Sequence, residues 1–301
     1  MYDVPKEEVD ALKLTVAAIQ IPSDALQVAA NLERADDHLR EAHISGAALA
    51  VLPEMFNTGY GLVPDYSLCA EPSDGPTVTH LRQRSQAWNM VIAAGFVESD
   101  GHHLYDSLAV CLPDGTVQTY RKRNLVFWER FRFRPGRSPL VVPTPWGRIG
   151  VAVCADMIYR EVWDDYRGRI DLAVVSAAWP DFANRGTGRQ HWLFGHLGPM
   201  SGEIPGKAAL DLGVPVVFAN QCGLTQTTIP FAGLWIAERL PDRFAGQSCI
   251  CDGRHASPVR ADANEQIVLS DITIHSNRGT RPCPSTSPSA PAVFSSGSAR
   301  F

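Results

Sequence analysis

Short apolar runs alternate with amphipathic stretches along most of this chain. Residues 14–20 form an apolar run of strand length, and residues 25–42 place Leu26, Leu32, Ala35 and Leu39 at helical spacing. Both patterns recur up to residue 274, and a turn signal at Asp114 joins two of the apolar runs as a hairpin. This alternation predicts a layered α/β domain in which helices cover β-sheets.

The predicted elements fall into two groups. Helices are predicted at residues 25–42, 77–88, 159–166 and 206–212. Strands are predicted at residues 14–20, 47–52, 90–97, 104–112, 116–120, 149–153, 171–176, 214–219, 248–251 and 266–274. Residues 179–205 show no strong pattern, so we expect a long loop that is either functional or mobile.

Three of the predicted strands end beside residues that can do chemistry. Glu54 follows the run 47–52, Lys122 follows 116–120 and Cys154 follows 149–153. In open α/β proteins, functional groups lie just past the carboxyl ends of the strands. We therefore expect a carboxylate, an ammonium and a thiol to converge on one rim of the domain.

The segments around these residues resemble a known family. They read LPEMFNTGY at 52–60, YRKRNL at 120–125 and GVAVCAD at 150–156. In sequence and in order they resemble the Glu, Lys and Cys signatures of the nitrilase superfamily of carbon-nitrogen hydrolases, and the resemblance extends over residues 14–274. It implies a four-layer αββα sandwich and a hydrolase that acts on carbon–nitrogen bonds other than peptide bonds.

The resemblance also implies a role for each of the three residues. Cys154 corresponds to the nucleophile, Glu54 to the general base and Lys122 to the cation that stabilises the oxyanion. The backbone N–H of Ala155 is expected to share the oxyanion with Lys122. Since nucleophile, acid–base group and electrophile all come from the chain, we expect neither a metal nor an organic cofactor.

Further residues are candidates for supporting or substrate-positioning roles. Glu129 matches an additional glutamate of the family, which orients the lysine and binds near the substrate amine. Asp156 is the second residue after the nucleophile. Tyr60 belongs to the segment of Glu54, and Trp179 begins the long loop.

Each candidate also has a structural interpretation. Alone, Cys154 would more often be a buried strand residue, Glu54 a solvated carboxylate or N-cap, and Lys122 part of a basic turn. A catalytically silent binding protein could share the same fold. The presence of all three residues in the family's order favours the enzyme.

The residues after the nucleophile favour amides over nitriles. Nitrilases proper usually carry Trp-Glu there, whereas this chain has Ala155 and Asp156, closer to the amidase and carbamoylase branches. We predict hydrolysis of a small linear amide, or of an N-carbamoyl compound, through a thioester with release of ammonia. Conversion of a nitrile to acid and ammonia is the alternative.

The far end of the substrate stays open at this stage. Within the long loop, Asp181 or Glu203 would bind an amino or guanidino group, and Arg185 or Arg189 would bind a carboxylate. The sequence does not choose between these options.

Composition limits the partners and the compartment. The 301 residues carry a net charge of −5, which gives no reason to expect nucleic acid or an anionic membrane as a partner. No apolar run approaches the length of a bilayer span, and the first residues lack a signal-peptide pattern. Seven cysteines without a CxxC pair predict reduced thiols and no zinc site. We expect a cytoplasmic protein that acts on a small molecule.

Domain bounds and assembly complete the expectations. We predict an N-terminal extension at residues 1–13, a hydrolase domain at 14–274 and a Ser/Pro-rich tail at 275–301 that is disordered or lies along the surface. The resemblance and the aromatic-rich segments 127–133 and 179–192 predict a homodimer or a larger homo-oligomer.

Overall fold

The computed structural model describes residues 11–61, 63, 65–126, 128–181, 200–224, 227–231, 234–238, 243–254 and 258–275. For residues 200–201, 227–231 and 234–238 it describes the backbone alone. The described α-helices are α1 Val28–Ile44, α2 Pro76–Trp88, α3 Glu129–Arg132, α4 Arg160–Asp164 and α5 Met200–Leu212. Two short 3₁₀ helices span Tyr66–Leu68 and Cys154–Ile158.

The strands of the described chain form two large sheets and one hairpin. They are β1 Ala11–Gln20, β2 Leu49–Val51, β3 Val91–Ser99, β4 Leu104–Cys111, β5 Val117–Arg121, β6 Val141–Thr144, β7 Gly147–Val153, β8 Leu172–Ala177, β9 Val216–Asn220, β10 Thr227–Phe231, β11 Leu234–Glu238, β12 Cys249–Cys251, β13 Val259–Arg260 and β14 Gln266–His275. The first sheet has the order β14-β1-β2-β3-β4-β5 and the second β13-β12-β9-β8-β7-β6, while β10 and β11 pair with each other.

Both large sheets are mixed. In the first sheet β1, β2 and β3 run parallel, and β14, β4 and β5 are added antiparallel. In the second sheet β7, β8 and β9 run parallel, flanked by antiparallel β6 and β12. Parallel neighbours align their carboxyl ends, so β2 and β3 in one sheet, and β7 and β8 in the other, deliver their following residues to common edges.

The two sheets pack face to face around an apolar core. Alternate residues of the first sheet, such as Val16, Leu49 and Val91, meet Val151 and Val174 of the second, and all five are at most 2% exposed. Side chains alternate between the faces of a strand, so every second residue of these strands points into this layer. Each buried side chain of this size contributes roughly 1.5–3 kcal/mol by removal of apolar surface from water.

Helices cover the outer faces. On the first sheet, Ala17 and Ile92 point outward and pack with Leu39 of α1 and Leu81 of α2. On the second sheet, α5 packs against β9 and β12. The architecture is the expected α/β sandwich with layers in the order αββα.

Two helix starts differ from the predictions by three residues or more. Helix α1 begins at Val28 rather than at residue 25, because Leu26 has a φ of +59° and its N–H donates to Thr58 O at 2.8 Å. Helix α5 is already formed at Met200, ahead of the predicted start at residue 206, so the last part of the predicted loop is helical. Pro205 lies inside this helix, and Ile204 beside it packs against the core.

The sheet also extends beyond the predicted start of the domain. Residues 11–13 belong to β1 and pair with residues 273–275 of β14, so they lie in the sheet rather than in an extension. The rest of the predicted extension and tail, residues 1–10 and 276–301, lies outside the described residues. Among the described helices, none has the length and apolar composition required to cross a membrane.

Candidate active site

The three residues predicted to do chemistry lie just beyond strand ends. Lys122 directly follows β5 and Cys154 directly follows β7. Glu54 lies three residues past β2, where Leu52 still donates its N–H to Ala93 O of β3 at 2.8 Å. Since β2 and β5 belong to the first sheet and β7 to the second, the site lies where the edges of the two sheets meet.

Close backbone packing places Glu54. A Cβ atom on Gly95 of β3 would lie 2.5 Å from the Cα of Glu54, so any side chain at that position would displace the segment. The next residue, Met55, has a φ of +48°, and Cys154 has a φ of +46°. A left-handed non-glycine residue costs about 1–3 kcal/mol, so the surrounding contacts must hold both turns in place.

Asp156 holds the turn that presents Cys154. This carboxylate is fully buried and accepts hydrogen bonds from Tyr120 Oη at 2.8 Å, from Asn124 N and Nδ2 at 2.8 and 2.9 Å, and from a backbone N–H of β7 at 3.2 Å. Tyr120 and Asn124 flank Lys122 in sequence, so Asp156 ties the segment of the lysine to the turn of the cysteine. Both of its oxygens are used by the protein, which makes Asp156 a supporting residue rather than a group that contacts substrate.

The ammonium of Lys122 lies among three carboxyl groups. Its Nζ is 2.6 Å from Glu54 Oε1, 2.7 Å from Glu129 Oε1 and 3.1 Å from Asp106 Oδ2, and all four side chains are fully buried. The structure thus brings Glu54, which lies 68 residues before Lys122 in the sequence, into contact with the ammonium that Glu129 also binds.

Glu54 is held from a second side as well. Its Oε2 accepts the backbone N–H of Ala178 at 2.7 Å, just past the end of β8. Its backbone carbonyl accepts Gln221 Nε2 at 2.8 Å, just past β9. Four strands from the two sheets therefore fix the position of this carboxylate.

Glu129, at the start of α3, accepts three hydrogen bonds. Tyr60 Oη donates to its Oε1 at 2.6 Å beside the ammonium of Lys122, and Val126 N donates to its Oε2 at 2.9 Å. The ring of Trp128 packs against Tyr60 with 5.0 Å between centroids. Tyr60 and Glu129 therefore form a second side of the pocket that holds the ammonium of Lys122.

Burial and charge set the resting protonation of Cys154 and Lys122. Burial and the Glu54 charge raise the pKa of Cys154 well above its ordinary value, against the opposing effect of Lys122. Burial alone would lower the pKa of Lys122, but the carboxyl groups of Glu129, Glu54 and Asp106 outweigh it and raise that pKa well above its usual range. The resting site therefore holds a thiol and an ammonium.

Sequence reasoning missed Asp106. It lies in β4 on the same face as Leu108 and Val110, which point into the core between the sheets. An acid on the inward face of a strand was therefore a signal in the sequence, because residues two apart share a face. The three carboxyl groups of Glu54, Asp106 and Glu129 lie within 4.8 Å of one another, as the ligands of a cation do. The ammonium of Lys122 contacts all three and takes that place.

Other predicted residues lie around this centre. Ala155 is 2% exposed and lies in the 3₁₀ helix that starts at Cys154. Trp179 is 4% exposed, and its backbone N–H donates to Asn220 Oδ1 at 2.7 Å. Both residues are therefore held next to the strand ends that carry the site.

Two of the four candidates for the far end of the substrate, Glu203 and Asp181, belong to the described residues. Glu203 is exposed on α5 and forms an ion pair with Lys207 at 2.7 Å. Asp181 donates its backbone N–H to Arg243 O at 2.7 Å. Arg185 and Arg189 lie outside the described residues.

The aromatic segment predicted as a subunit contact divides into two parts. Trp128 and Phe133 pack against Tyr66, with ring centroids 5.9 and 5.5 Å away. Phe131 is 89% exposed, and Phe127 lies outside the described residues. Assembly into a homodimer stays a prediction.

Comparison with known proteins identifies the family. A family model described as carbon-nitrogen hydrolase matches residues 15–282, and the chain belongs to this family. A nitrilase from Pyrococcus abyssi is 33% identical over 150 residues, which cover 48% of this chain and 57% of that protein. Omega-amidase NIT2 from Bos taurus is 33% identical over 190 residues, covering 59% and 66%. The chain thus spans less than two thirds of the length of these relatives.

Solved structures show the same fold. A carbon-nitrogen hydrolase superfamily protein from Xanthomonas campestris, with an arsenic adduct in its active site, superposes with a TM-score of 0.69 at 24% identity over 87% of this chain and 91% of that one. A mutant amidase from Nesterenkonia sp. AN1, with the acetamide moiety of fluoroacetamide added at its active-site cysteine, gives a TM-score of 0.69 at 20% identity over 86% and 90%.

Proposed function

We propose that this chain is a cysteine-dependent amidohydrolase that cleaves a small linear amide through a thioester acyl-enzyme and releases ammonia. The observation that carries the proposal is the ammonium of Lys122, held 2.6 Å from Glu54 and 2.7 Å from Glu129 at the strand ends where Cys154 lies. Membership of the carbon-nitrogen hydrolase family and the amidases among its relatives support it.

Acylation begins from the protonated thiol. Since the pKa of Cys154 is raised by burial and by Glu54, the thiol proton must leave as the sulfur attacks the carbonyl carbon. Glu54 accepts this proton. It then delivers the proton to the amide nitrogen, the carbon–nitrogen bond breaks, and ammonia departs from the thioester.

Charge on the substrate oxygen needs a matching cation. When Cys154 adds to the carbonyl, the oxygen becomes an oxyanion, and we assign its stabilisation to Lys122 and to the backbone N–H of Ala155. Loss of one donor of this kind typically costs about 3–4 kcal/mol of transition-state stabilisation. The hydrogen bonds of Glu129 keep the ammonium in position for this role.

Deacylation uses the same groups in reverse. A water molecule enters the place left by ammonia, Glu54 accepts one of its protons, and the oxygen attacks the thioester carbonyl. The carbon–sulfur bond then breaks, the proton returns to the sulfur of Cys154, and the carboxylic acid leaves. One water is consumed and one ammonia is released for each amide.

A substrate panel tests the proposal. Aliphatic primary amides, N-carbamoyl amines and matched nitriles would be compared by ammonia release with wild type and Cys154→Ala. We expect the highest kcat/KM for a primary amide and no release by the variant. A higher kcat/KM for the nitrile than for its amide would make the chain a nitrilase. No turnover of any compound by folded wild-type protein would favour a silent binding protein.

A further inference from the structure

Asp106 is the least bonded acid of the site. It is fully buried, and neither of its oxygens has a hydrogen-bond partner of good geometry among the described residues. Its closest cation is Lys122, with Nζ 3.1 Å from Oδ2. A buried carboxylate without hydrogen bonds is strongly disfavoured, whereas a neutral carboxylic acid needs far less compensation.

Glu54 and Glu129 have the opposite surroundings. Glu54 accepts N–H groups on both oxygens, from Lys122 at 2.6 Å and from Ala178 at 2.7 Å. Glu129 accepts from Lys122 at 2.7 Å, from Tyr60 at 2.6 Å and from a backbone N–H at 2.9 Å. Both are bonded as acceptors, which is the pattern of a carboxylate.

The balance of charges among the three carboxyl groups and the ammonium of Lys122 indicates that Asp106 is protonated. Three ionised carboxyl groups around one ammonium would leave two uncompensated negative charges in a space closed to water. Burial and the neighbouring charge of Glu54 raise the pKa of Asp106 well above its ordinary value, more than Lys122 lowers it, and the charge of Glu129 adds to the rise. Burial, with a smaller effect of the Asp106 charge, likewise raises the pKa of Tyr66 well above its ordinary value.

We propose that Asp106 is a neutral carboxylic acid in the resting enzyme, where it donates its proton to Glu54 and accepts from the ammonium of Lys122. This role rests on the function proposed above. Asp106 is then a positioning residue: it supports the lysine without adding a third negative charge. Lys122 is then paired with two carboxylates instead of three, so a larger part of its positive charge is left to stabilise the oxyanion of the substrate.

Two matched variants separate a neutral acid from a carboxylate. Asp106→Asn keeps the shape, with an NH₂ group to donate to Glu54 and a carbonyl to accept from Lys122. Asp106→Leu keeps a similar volume but loses both contacts. We expect Asp106→Asn to retain kcat/KM within about tenfold of wild type, and Asp106→Leu to lose about a hundredfold or more. An equal, large loss in both variants would overturn the proposal, since a neutral amide would then fail to replace the working group.

An infrared readout needs no turnover and no substrate. At neutral pH, the difference spectrum between wild type and Asp106→Asn should show a carboxylic acid carbonyl band that only wild type has, and Glu129→Gln should keep that band. Loss of carboxylate bands alone in Asp106→Asn would contradict the inference, even if the protein hydrolyses amides as proposed. If wild type shows the band yet hydrolyses nothing, the proton on Asp106 stands and the proposed function fails.

Discussion

Cys154 and Cys111 are both buried cysteines at or near the end of a strand, yet their surroundings differ. Cys111 is the last residue of β4 and lies in the apolar layer between the first sheet and α2. It is 0% exposed, and burial raises its pKa to about 12. Cys154 follows β7 and is 4% exposed, and the charges of Glu54 and Lys122 shift its pKa in opposite directions, upward and downward respectively. Burial therefore disfavours the thiolate in both places.

The difference lies in what each thiol can exchange a proton with. Cys111 packs among apolar side chains, and its thiol has a carbonyl, Val78 O, at 4.0 Å. In the proposed mechanism Cys154 exchanges its proton with Glu54, whose carboxylate is held by hydrogen bonds from Lys122 and from the backbone N–H of Ala178. A buried thiol becomes a nucleophile when a base and a cation are placed beside it, rather than through burial itself.

The largest effect is expected from removal of the two thiols. Cys154→Ala should abolish ammonia release and leave the melting temperature near that of wild type. Cys111→Ala should retain turnover but lose about 1 kcal/mol of the free energy of unfolding, because it leaves a small cavity in the packed layer. Activity above a trace in purified Cys154→Ala would mean that Cys154 is not the nucleophile and would contradict the assigned difference between the two cysteines.

A second test compares a buried and an exposed lysine. Lys122→Met leaves three buried carboxyl groups without their cation and should cost about 3–5 kcal/mol of the free energy of unfolding. Lys207→Met removes an exposed ion pair with Glu203 and should change that free energy by less than about 1 kcal/mol. Urea denaturation of both variants measures the difference, and similar values would mean that the charged cluster is not closed to water as described.

The third test moves the pKa of Cys154 in opposite directions. Since the charge of Glu54 raises that pKa, Glu54→Gln should lower it, so the thiolate should form at lower pH than in wild type. Lys122→Met should raise it, because the ammonium lowers it. Ultraviolet absorbance of the thiolate against pH, with Cys154→Ala as the blank, gives both shifts. Turnover should nevertheless fall in Glu54→Gln, by about 10²–10⁴, because the base is lost. Shifts of the same sign in the two variants would contradict the assigned electrostatics.

The smallest effect is expected at the edge of the lysine pocket. Tyr60→Phe removes the 2.6 Å hydrogen bond to Glu129 and keeps the ring against Trp128. We expect kcat/KM to fall by about tenfold, which corresponds to about 1.4 kcal/mol, with little change in stability. Tyr105→Phe is a control, since that hydroxyl bonds Asp100 on the surface at 2.8 Å. An unchanged rate in Tyr60→Phe would mean that Glu129 holds the lysine without this bond.

Much of the fold was predictable because its strands are short, apolar and separated by clear turn signals. The hairpin of β4 and β5 follows from the turn at Asp114, and the strand ends at Lys122 and Cys154 follow from the apolar runs. Helix starts were less predictable, because the turn at Leu26 depends on a hydrogen bond to a distant loop, Leu26 N to Thr58 O. Such tertiary contacts leave no periodic pattern in the sequence.

The residues of the site that belong to family motifs were predictable, whereas the buried acid between them was not. Glu54, Lys122 and Glu129 were found by motif, and the structure brings them into contact. Asp106 was missed because an isolated acid in a strand resembles a solvent-facing residue until the inward register of β4 is known. The role of Asp156 also required the fold, since two of its partners, Tyr120 and Asn124, come from the β5 segment of the other sheet.

The acyl-enzyme itself provides the most direct test of the central claim. Wild type would be mixed with the most slowly hydrolysed amide of the panel, quenched in acid during steady turnover, digested and analysed by mass spectrometry, with Cys154→Ala in parallel. We predict the acyl mass on the peptide that contains Cys154, none on the peptide of Cys111, and none in the variant. Product formation with the acyl mass on any other residue, or with none on Cys154, would contradict the account.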